Sequence, residues 1–175
     1  ATAGAQTLTL TAVSNASTSC GVSTLSNTTN FTIQELPDIS SAMISVEDIC
    51  LGDNATATVT GLDDGDYDLT YSLATPNTAV DLAACISVVG GTATFTVPAS
   101  NLSVAEANQT ITLTSLTDAD GCATTGITTV MTTFAINALP DLSNTTLAIA
   151  DVCVNEDATA TVTAGLQANS TNTSS

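Results

Sequence analysis

The chain has 175 residues and a formal net charge of −17, because it carries 17 Asp and Glu residues and no Lys, Arg or His. This composition excludes nucleic-acid binding through a basic surface and membrane attachment through a polybasic segment. It also excludes catalysis and metal binding that depend on His or Lys, so only carboxylates remain and we expect no enzymatic activity.

The balance of residue types indicates a folded, strand-rich protein. Apolar residues make up 43% of the chain, which is too many for a disordered acidic tail. Ser and Thr account for 52 residues, and Thr at this density together with Val, Ile and Leu favours strands. We find no transmembrane-length apolar run and no signal-peptide pattern, so we expect no direct membrane insertion. Five cysteines favour an oxidising, extracellular location at the cell surface.

Seven segments between residues 38 and 140 are predicted to be strands. Thr alternates with apolar residues in runs such as 56–60, 92–97 and 110–114, which places Thr on one face of each strand. Gly, Pro, Asn and Asp lie between these runs and predict turns. The predicted strands are residues 42–47, 55–61, 67–73, 83–89, 92–97, 109–116 and 127–137, with a longer crossing at 98–108.

A long internal repeat divides the chain into three parts. Four segments recur at an offset of 103 residues: 7–11 as 110–114, 31–33 as 134–136, 36–40 as 139–143, and 55–60 as 158–163. We predict the C-terminal part of one unit in 1–37, a complete unit in 38–140 and the N-terminal part of another in 141–175. Residues 167–175 lack apolar periodicity, and we expect them to be a frayed end.

This unit length and strand count predict an all-β fold of tandem immunoglobulin-like sandwiches. About a hundred residues and about seven short antiparallel strands are typical of that architecture. Leu36, Pro37 and Asp38 lie at the boundary between units, and proline fixes its own backbone angle and restricts the residue before it. A short, stiff linker of this kind favours a rod over a flexible string.

Three segments of the central unit carry a resemblance to a known family. They are residues 50–53, 61–71 and 117–122, which read Cys-Leu-Gly-Asp, Gly-Leu-Asp-Asp-Gly-Asp-Tyr-Asp-Leu-Thr-Tyr and Thr-Asp-Ala-Asp-Gly-Cys. The whole chain resembles the tandem immunoglobulin-like repeats of very large Bacteroidetes surface proteins, similar to SprB-type gliding-motility adhesins exported by the type IX secretion system. It departs from that pattern by lacking basic residues and by carrying Cys85. The resemblance implies an adhesive cell-surface protein.

Six aspartates are candidate calcium ligands. If consecutive strands alternate in direction, the loops at 61–66 and 117–123 lie at the same end of the sandwich, where the linker also arrives. Calcium binds carboxylate and carbonyl oxygens, and a cation bound there would stiffen the junction with the preceding unit. The alternative is that Asp and Gly are present because they favour turns. The candidate ligands are Asp38, Asp63, Asp64, Asp66, Asp118 and Asp120.

The cysteines allow two interpretations. Strand directions place Cys50 and Cys85 at the end opposite the linker, which favours a Cys50–Cys85 disulfide and leaves Cys122 free or bonded across a junction between repeats. Recurrence favours another view, because Cys50 and Cys122 have counterparts in Cys153 and Cys20, whereas Cys85 has none in view. The disulfide connectivity therefore stays open.

Asparagines are concentrated in glycosylation sequons. Nine of the twelve lie in Asn-X-Ser/Thr, whereas chance predicts roughly four in a chain this rich in Ser and Thr. The alternative is that the excess only accompanies a Thr-rich surface. The candidate sites are Asn15, Asn27, Asn30, Asn54, Asn101, Asn108, Asn144, Asn169 and Asn172.

The sequence favours a structural and adhesive function. The leading hypothesis is a stalk segment of a very large secreted surface protein that acts in adhesion, surface motility or a biofilm filament through reach, stiffness and multivalent contact. Its expected partners are neighbouring repeats, surface polysaccharide, and host or substratum surfaces. The alternative is a complete small glycosylated subunit of an extracellular filament, assembled by strand donation between chains. A carbohydrate-binding module is disfavoured, because two Tyr and three Phe offer few exposed aromatic side chains.

Overall fold

The structure of the chain, a computed structural model, describes residues 2–143 and 145–163. The expected frayed end at 167–175 and the sequons at Asn144, Asn169 and Asn172 lie outside the described residues. The strands are β1 Gly4–Leu10, β2 Val13–Ser14, β3 Gly21–Val22, β4 Asn27–Ile33, β5 Met43–Val46, β6 Ile49–Cys50, β7 Ala55–Thr60, β8 Gly65–Leu73, β9 Ala79–Val88, β10 Thr92–Val97, β11 Glu106–Asp118, β12 Ala123–Thr125, β13 Met131–Asn137, β14 Thr146–Ile149 and β15 Ala160–Thr163. A 3-10 helix covers Ala99–Asn101. Within the described ranges, no helix has the length and apolar character needed to cross a membrane.

The central part of the chain is a β-sandwich, which confirms the predicted all-β fold. One sheet has the strand order β10-β7-β5, and the other has the order β6-β13-β11-β8-β9 with β12 beside β11. The pairings within the sandwich are antiparallel except for β6 with β13, which is parallel. The first segment of the unit therefore contributes to both sheets, through β5 in one and β6 in the other.

The core lies between the two sheets and follows the alternation in the sequence. In β7, Ala55, Ala57 and Val59 are buried, while the threonines between them are more exposed. From the opposite sheet, β11 contributes the fully buried Ile111 and Leu113. Fully burying a side chain of this size stabilises the fold by about 1.5–3 kcal/mol. The two sheets are held together mainly by this aliphatic layer.

A bulge in β11 lengthens the face that the strand presents to the core. The register of β11 against β8 shifts between Leu113 and Ser115. Strict alternation would turn Ser115 inward, whereas the additional residue of the bulge brings the fully buried Leu116 into the core. β11 thereby keeps an apolar inner face almost until its end at Asp118.

Two buried polar side chains, Asn77 and Gln109, form hydrogen bonds that hold the segment between β10 and β11 against the sandwich. Asn77 Nδ2 donates to the carbonyl of Val104 at 2.8 Å and to Oε1 of Gln109 at 2.9 Å. The N–H of Val104 donates back to Asn77 Oδ1 at 2.8 Å, and Gln109 Nε2 donates to the carbonyl of Ala74 at 2.8 Å. These bonds compensate the burial of both amides, which would otherwise be costly.

All seven predicted strands are present, although some of their ends differ. The fourth predicted strand, β9, begins earlier than expected, at Ala79. Its start is hidden in the sequence because Asp81 has a left-handed backbone with φ of 52°, and the register with β8 shifts between Tyr71 and Leu73. Both irregularities interrupt the alternation on which the prediction depends. As a result, Cys85 lies well inside its strand and not at its start.

Candidate functional site

The end of the sandwich that meets the linker, termed the linker end, holds an acidic cleft. β8 begins and β11 ends there, since Asp118 lies opposite Tyr67 in the sheet. Residues 34–38, which lead into the sandwich, pass over the same end and border a cleft of about 310 Å³. This junction cleft is lined by residues 34–38 and by Asp63, Tyr67, Asp118 and Asp120.

Four of the six predicted calcium ligands line the junction cleft, namely Asp38, Asp63, Asp118 and Asp120. They meet because β8 and β11 are antiparallel neighbours, so the loop before one and the loop after the other lie at the same end. Glu35 adds a fifth carboxylate that the sequence reasoning missed. It lies in the linker segment, and only its position next to the Leu-Pro-Asp motif could have indicated it.

The other two predicted ligands lie outside the cleft. Asp64 Oδ1 accepts the N–H of Gly91 at 2.8 Å, at the turn between β9 and β10. Asp66, the second residue of β8, lines a neighbouring groove together with Asp68 and Cys85. The six carboxylates are therefore divided between at least two surfaces.

Two of the cleft carboxylates are bound to their own turns. Asp38 Oδ1 accepts the N–H of Ser40 at 2.8 Å. This bond stabilises the charged carboxylate and so lowers the pKa of Asp38. Asp118 Oδ1 accepts the N–H groups of Asp120 at 3.0 Å and Cys122 at 2.9 Å. Both arrangements match the alternative interpretation, in which aspartates are placed here to stabilise turns.

The pKa of Tyr67 reflects its burial and the negative charges around the cleft. Its hydroxyl donates to the carbonyl of Asp63 at 3.2 Å. Burial raises the pKa of Tyr67, and the negative charges of Asp63 and Asp118 raise it further. The chain has no basic residue to offset these charges. Any neutralising cation at this cleft must therefore come from solution.

The carboxylates are not arranged as a metal site in the described residues. Within residues 2–143 and 145–163, no group of three or more Cys, Asp or Glu side chains is placed to hold one metal ion. Calcium normally takes about 6–8 oxygen ligands. The residues present do not fit a preformed calcium site, and calcium at the junction stays a prediction.

The linker is fastened to the sandwich that follows it. Thr124 Oγ1 donates to the carbonyl of Pro37 at 2.8 Å. Thr124 belongs to the short strand β12, which pairs with β11 opposite Leu116. The linker is thus restrained at Pro37 by the ring and by this hydrogen bond, and at Asp38 by the turn that its side chain stabilises.

The hairpin β1–β4 reproduces the pair β11–β13 of the central sandwich. Gln6 lies opposite Phe31, just as Gln109 lies opposite Phe134, and each residue differs from its counterpart by 103 positions. Their environments differ, because Phe31 is 50% exposed and Phe134 is 3% exposed. Exposed large apolar residues of this part of the chain are Leu8, Leu10, Val13, Val22 and Phe31.

The hairpin β14–β15 reproduces the pair β5–β7 in the same way. Leu147 lies opposite Val162, just as Ile44 lies opposite Val59. Leu147 is 73% exposed, whereas Ile44 is 6% exposed because the second sheet covers it. Both flanking hairpins therefore present the core face of a sandwich that the described residues leave uncovered.

The structure contains no disulfide among the described residues, and it places Cys50 and Cys85 in strands at opposite edges of the larger sheet, so the predicted Cys50–Cys85 disulfide finds no support in it. Cys50 lies beside Asn137, at the end of the sandwich away from the linker, termed the distal end. Cys85 lies opposite Asp68, and Asp68 lies opposite Thr117 near the linker end. The sequence prediction placed Cys85 at the start of its strand, whereas β9 begins earlier, at Ala79, and this moves Cys85 along the sheet away from Cys50.

Six of the nine sequons lie in the described residues. The exposed asparagines among them are Asn15, Asn27, Asn30, Asn54 and Asn108. Asn101 lies in the 3-10 helix and is half-buried. Asn15 Oδ1 accepts the N–H of Ser17 at 2.9 Å and supports a local turn. Asn54 Oδ1 accepts the N–H of Ala99 at 2.8 Å and so links the start of the 3-10 helix to the residue before β7. Glycosylation of the exposed sequons stays a prediction.

Comparison with known proteins assigns no family to the chain. No protein-family model matches it, and it has no significant match among curated proteins. Inference about function therefore depends on three features of the molecule: the repeat, the open faces of the hairpins and the junction cleft.

Proposed function

We propose that the chain is part of a tandem array of immunoglobulin-like sandwiches that forms the stalk of a very large secreted cell-surface protein. The observation that carries this proposal is the recurrence of strand pairs in the same register, with core faces that are buried in the central unit and open in the flanking hairpins. Open core faces leave apolar side chains in water, and adjoining strands of the same unit would bury them. Residues 1–37 and 141–175 are accordingly parts of the two neighbouring units.

The strand order of the central unit supports the immunoglobulin-like assignment. The sheet β10-β7-β5 faces the sheet β6-β13-β11-β8-β9. The chain passes from one sheet to the other between β7 and β8, between β9 and β10, and between β10 and β11, as it does in Greek-key sandwiches. The resemblance of the Cys-Leu-Gly-Asp and Asp-Ala-Asp-Gly-Cys motifs to repeats of SprB-type adhesins supports the same assignment.

A stalk of this kind acts through length and stiffness. The junction at Pro37 is restrained by its ring and by the bond from Thr124, and stiff connections keep successive units in line. A uniformly acidic surface keeps such an array soluble and resists its collapse. Many weak contacts along one chain add up to firm attachment. We therefore place the protein outside the cell, with neighbouring repeats, surface polysaccharide and host or substratum surfaces as its partners in adhesion, surface motility or biofilm formation.

The mass of the native polypeptide, measured after reduction and denaturation, tests the array. We expect a mass many times 17.4 kDa, with further units of about 103 residues in the same polypeptide. A mass near 17.4 kDa would overturn the tandem-array proposal. Enzymatic removal of glycans before a second measurement separates the mass of the polypeptide from that of any sugar on the exposed sequons.

The second candidate function is a small subunit of an extracellular filament that assembles by strand donation. Complementary open faces favour it: β5 and β7 pack over β11 and β13 in the central unit, and β14–β15 of one copy would pack over β1–β4 of the next in the same way. Among the described residues, the two flanking parts of the chain hold no counterparts of β8, β9 and β10, so the hairpins by themselves would complete only part of a sandwich. A polypeptide mass near 17.4 kDa would favour this candidate.

A further inference from the structure

We propose that a disulfide joins the Cys50 position of each unit to the Cys122 position of the unit that follows, and so closes each junction of the array. The inference rests on the proposed tandem array. It concerns four of the five cysteines, because Cys153 repeats the position of Cys50, and Cys20 repeats that of Cys122 with a shift of one residue. Two recurring cysteine positions therefore need partners.

Geometry excludes a bond between Cys50 and Cys122 of the same unit. Cys50 lies beside Asn137 at the distal end. Cys122 follows the end of β11 at the linker end, where its N–H donates to the carboxylate of Asp118 at 2.9 Å. β11 connects the two ends with 13 residues, and a strand of this length spans roughly 40 Å. A disulfide needs its two Cα atoms within about 7 Å.

The junction before the central unit shows where the two positions meet. Gln34 is the counterpart of Asn137 at the repeat offset, so the Cys50 position of the preceding unit lies beside Gln34. Gln34 and Asp120 line the same junction cleft, and Asp120 lies two residues before Cys122. The two cysteine positions of neighbouring units are therefore each close to a residue that lines the same cleft.

The segment that carries Cys50 is held in place at the distal end. The N–H of Leu51 donates to the carbonyl of Asn137 at 2.8 Å. Asn137 Nδ2 donates to the carbonyl of Ile49 at 3.2 Å. Cys50 itself is exposed, and Cys122 is partly exposed in its loop. Hydrogen bonds thus hold the backbone at both cysteines, and both thiols are accessible to another cysteine and to an oxidant.

Cys85 stands in a different environment. It lies opposite Asp68 in the sheet. A hydrogen bond with the carboxylate of Asp68, together with its negative charge, raises the pKa of the Cys85 thiol. A raised pKa reduces the fraction of thiolate, which is the form that attacks disulfides. Cys85 also lacks a counterpart at the repeat offset in the given sequence, and we therefore expect it to stay outside this bond.

The bond forms by two successive thiol–disulfide exchanges with a dithiol–disulfide oxidant of the extracellular space. The thiolate of one cysteine attacks the oxidant disulfide and forms a mixed disulfide, releasing one oxidant thiol. The second cysteine attacks the protein sulfur of that mixed disulfide and releases the other oxidant thiol. The two cysteines lose two electrons and two protons, and the oxidant gains both. Extracellular compartments sustain bonds of this kind.

Alkylation of the native polypeptide without prior reduction tests the proposal. After digestion at acidic residues, we expect the peptide containing Cys50 to be linked to the peptide that contains the Cys122 position of the next unit, while Cys85 carries the alkylating label. Labels on both Cys50 and Cys122 before reduction would overturn the disulfide, as would a link between cysteines of one unit. The reduced mass reports separately on the array, so failure of the disulfide and failure of the array give different results.

A matched pair of variants sharpens this test in the same polypeptide. Cys50→Ser removes one half of a bond and frees its partner, so the number of thiols labelled without reduction rises by one. Cys85→Ser removes a free thiol, so that number falls by one. A fall by one in the Cys50→Ser variant would show that Cys50 was already a free thiol and would contradict the proposal.

Discussion

β4 and β13 are equivalent strands of the repeat that lie in two different environments. Phe31 and Phe134 occupy the same repeat position and lie opposite Gln6 and Gln109 in the same register. Phe134 is 3% exposed and Phe31 is 50% exposed. The difference comes from the facing sheet, which covers Phe134 and which the described residues do not place over Phe31. Alternation in a sequence thus determines which face of a strand is apolar, and a second sheet makes that face a core.

The central sandwich and the flanking hairpins are expected to differ in stability. A two-stranded hairpin is at best marginally stable in water, whereas stacked sheets bury a continuous core. Among the described residues, the central unit is therefore the part with a core of its own, and the flanking hairpins have none. Substitutions at matched repeat positions measure this inequality directly.

The largest expected effect comes from the two phenylalanines. Phe134→Ala removes a buried ring and should destabilise the central unit by about 3–5 kcal/mol, because a cavity replaces it. Phe31→Ala in the 175-residue chain should leave the denaturation midpoint almost unchanged. Urea denaturation followed by circular dichroism measures both. An equal loss in the two variants would show that Phe31 is already packed in a core.

Substitution of the two equivalent glutamines should change the free energy of unfolding by unequal amounts, with a smaller difference than for the phenylalanines. Gln109 is fully buried and bonds Asn77 and the carbonyl of Ala74, so Gln109→Ala leaves buried groups unpaired and should cost about 1–3 kcal/mol. Gln6→Ala is the matched control at the same repeat position, and we expect no measurable change. The comparison fails if Gln6→Ala is as destabilising as Gln109→Ala in the same urea titration.

The third expected effect depends on pH. The bond from Ser40 lowers the pKa of Asp38 below its ordinary value of 3.8. A lowered folded-state pKa means that the carboxylate stabilises the fold above the unfolded-state pKa, and that this contribution is lost as the pH falls through the folded-state value. Asp38→Ala should therefore lower the denaturation midpoint at pH 7, and its difference from the parent chain should shrink below pH 3.8.

The control for this pH effect is Asp141, which accepts the N–H of Ser143 at 2.9 Å in the equivalent turn. This bond also lowers the pKa of Asp141. Because its hairpin lacks a facing sheet in the described residues, Asp141→Ala should leave the midpoint of the central unit unchanged at every pH. A shift as large as that of Asp38→Ala would contradict the inequality between the two regions.

The smallest expected effect is that of divalent cations on the central unit. Calcium and magnesium should raise the denaturation midpoint slightly and equally at matched ionic strength, because both screen the net charge of −17. A calcium-selective increase that Asp120→Asn abolishes would instead support the predicted calcium site at the junction cleft. Asp157→Asn, in the last part of the chain, is the control for the loss of one charge.

Sequence patterns predicted the sheets better than the site. Alternation of Thr with apolar residues marked β7, β10 and β11, because side chains alternate across a strand wherever no bulge intervenes. The bulges at Leu113–Ser115 and Tyr71–Leu73 break this rule, and the second hid the start of β9. That difference moved Cys85 from the predicted start of its strand to a position opposite Asp68, away from Cys50.

The convergence of carboxylates was predictable only in part. Strand direction places Asp63 and Asp118 at one end of the sandwich, and this much follows from counting strands. The direction of each side chain depends on its turn, and Asp64 turns away to bond Gly91. The contribution of Glu35 depends on how the preceding segment crosses the linker end, which no local pattern encodes.

The central claim is that the flanking hairpins are parts of further sandwiches, and hydrogen exchange of the native polypeptide tests it most directly. If the claim holds, the amides of β1 and β4 exchange as slowly as those of β11 and β13, because the same register is covered by the same kind of facing sheet. Rapid exchange of β1 and β4 beside slow exchange of β11 and β13 would contradict it.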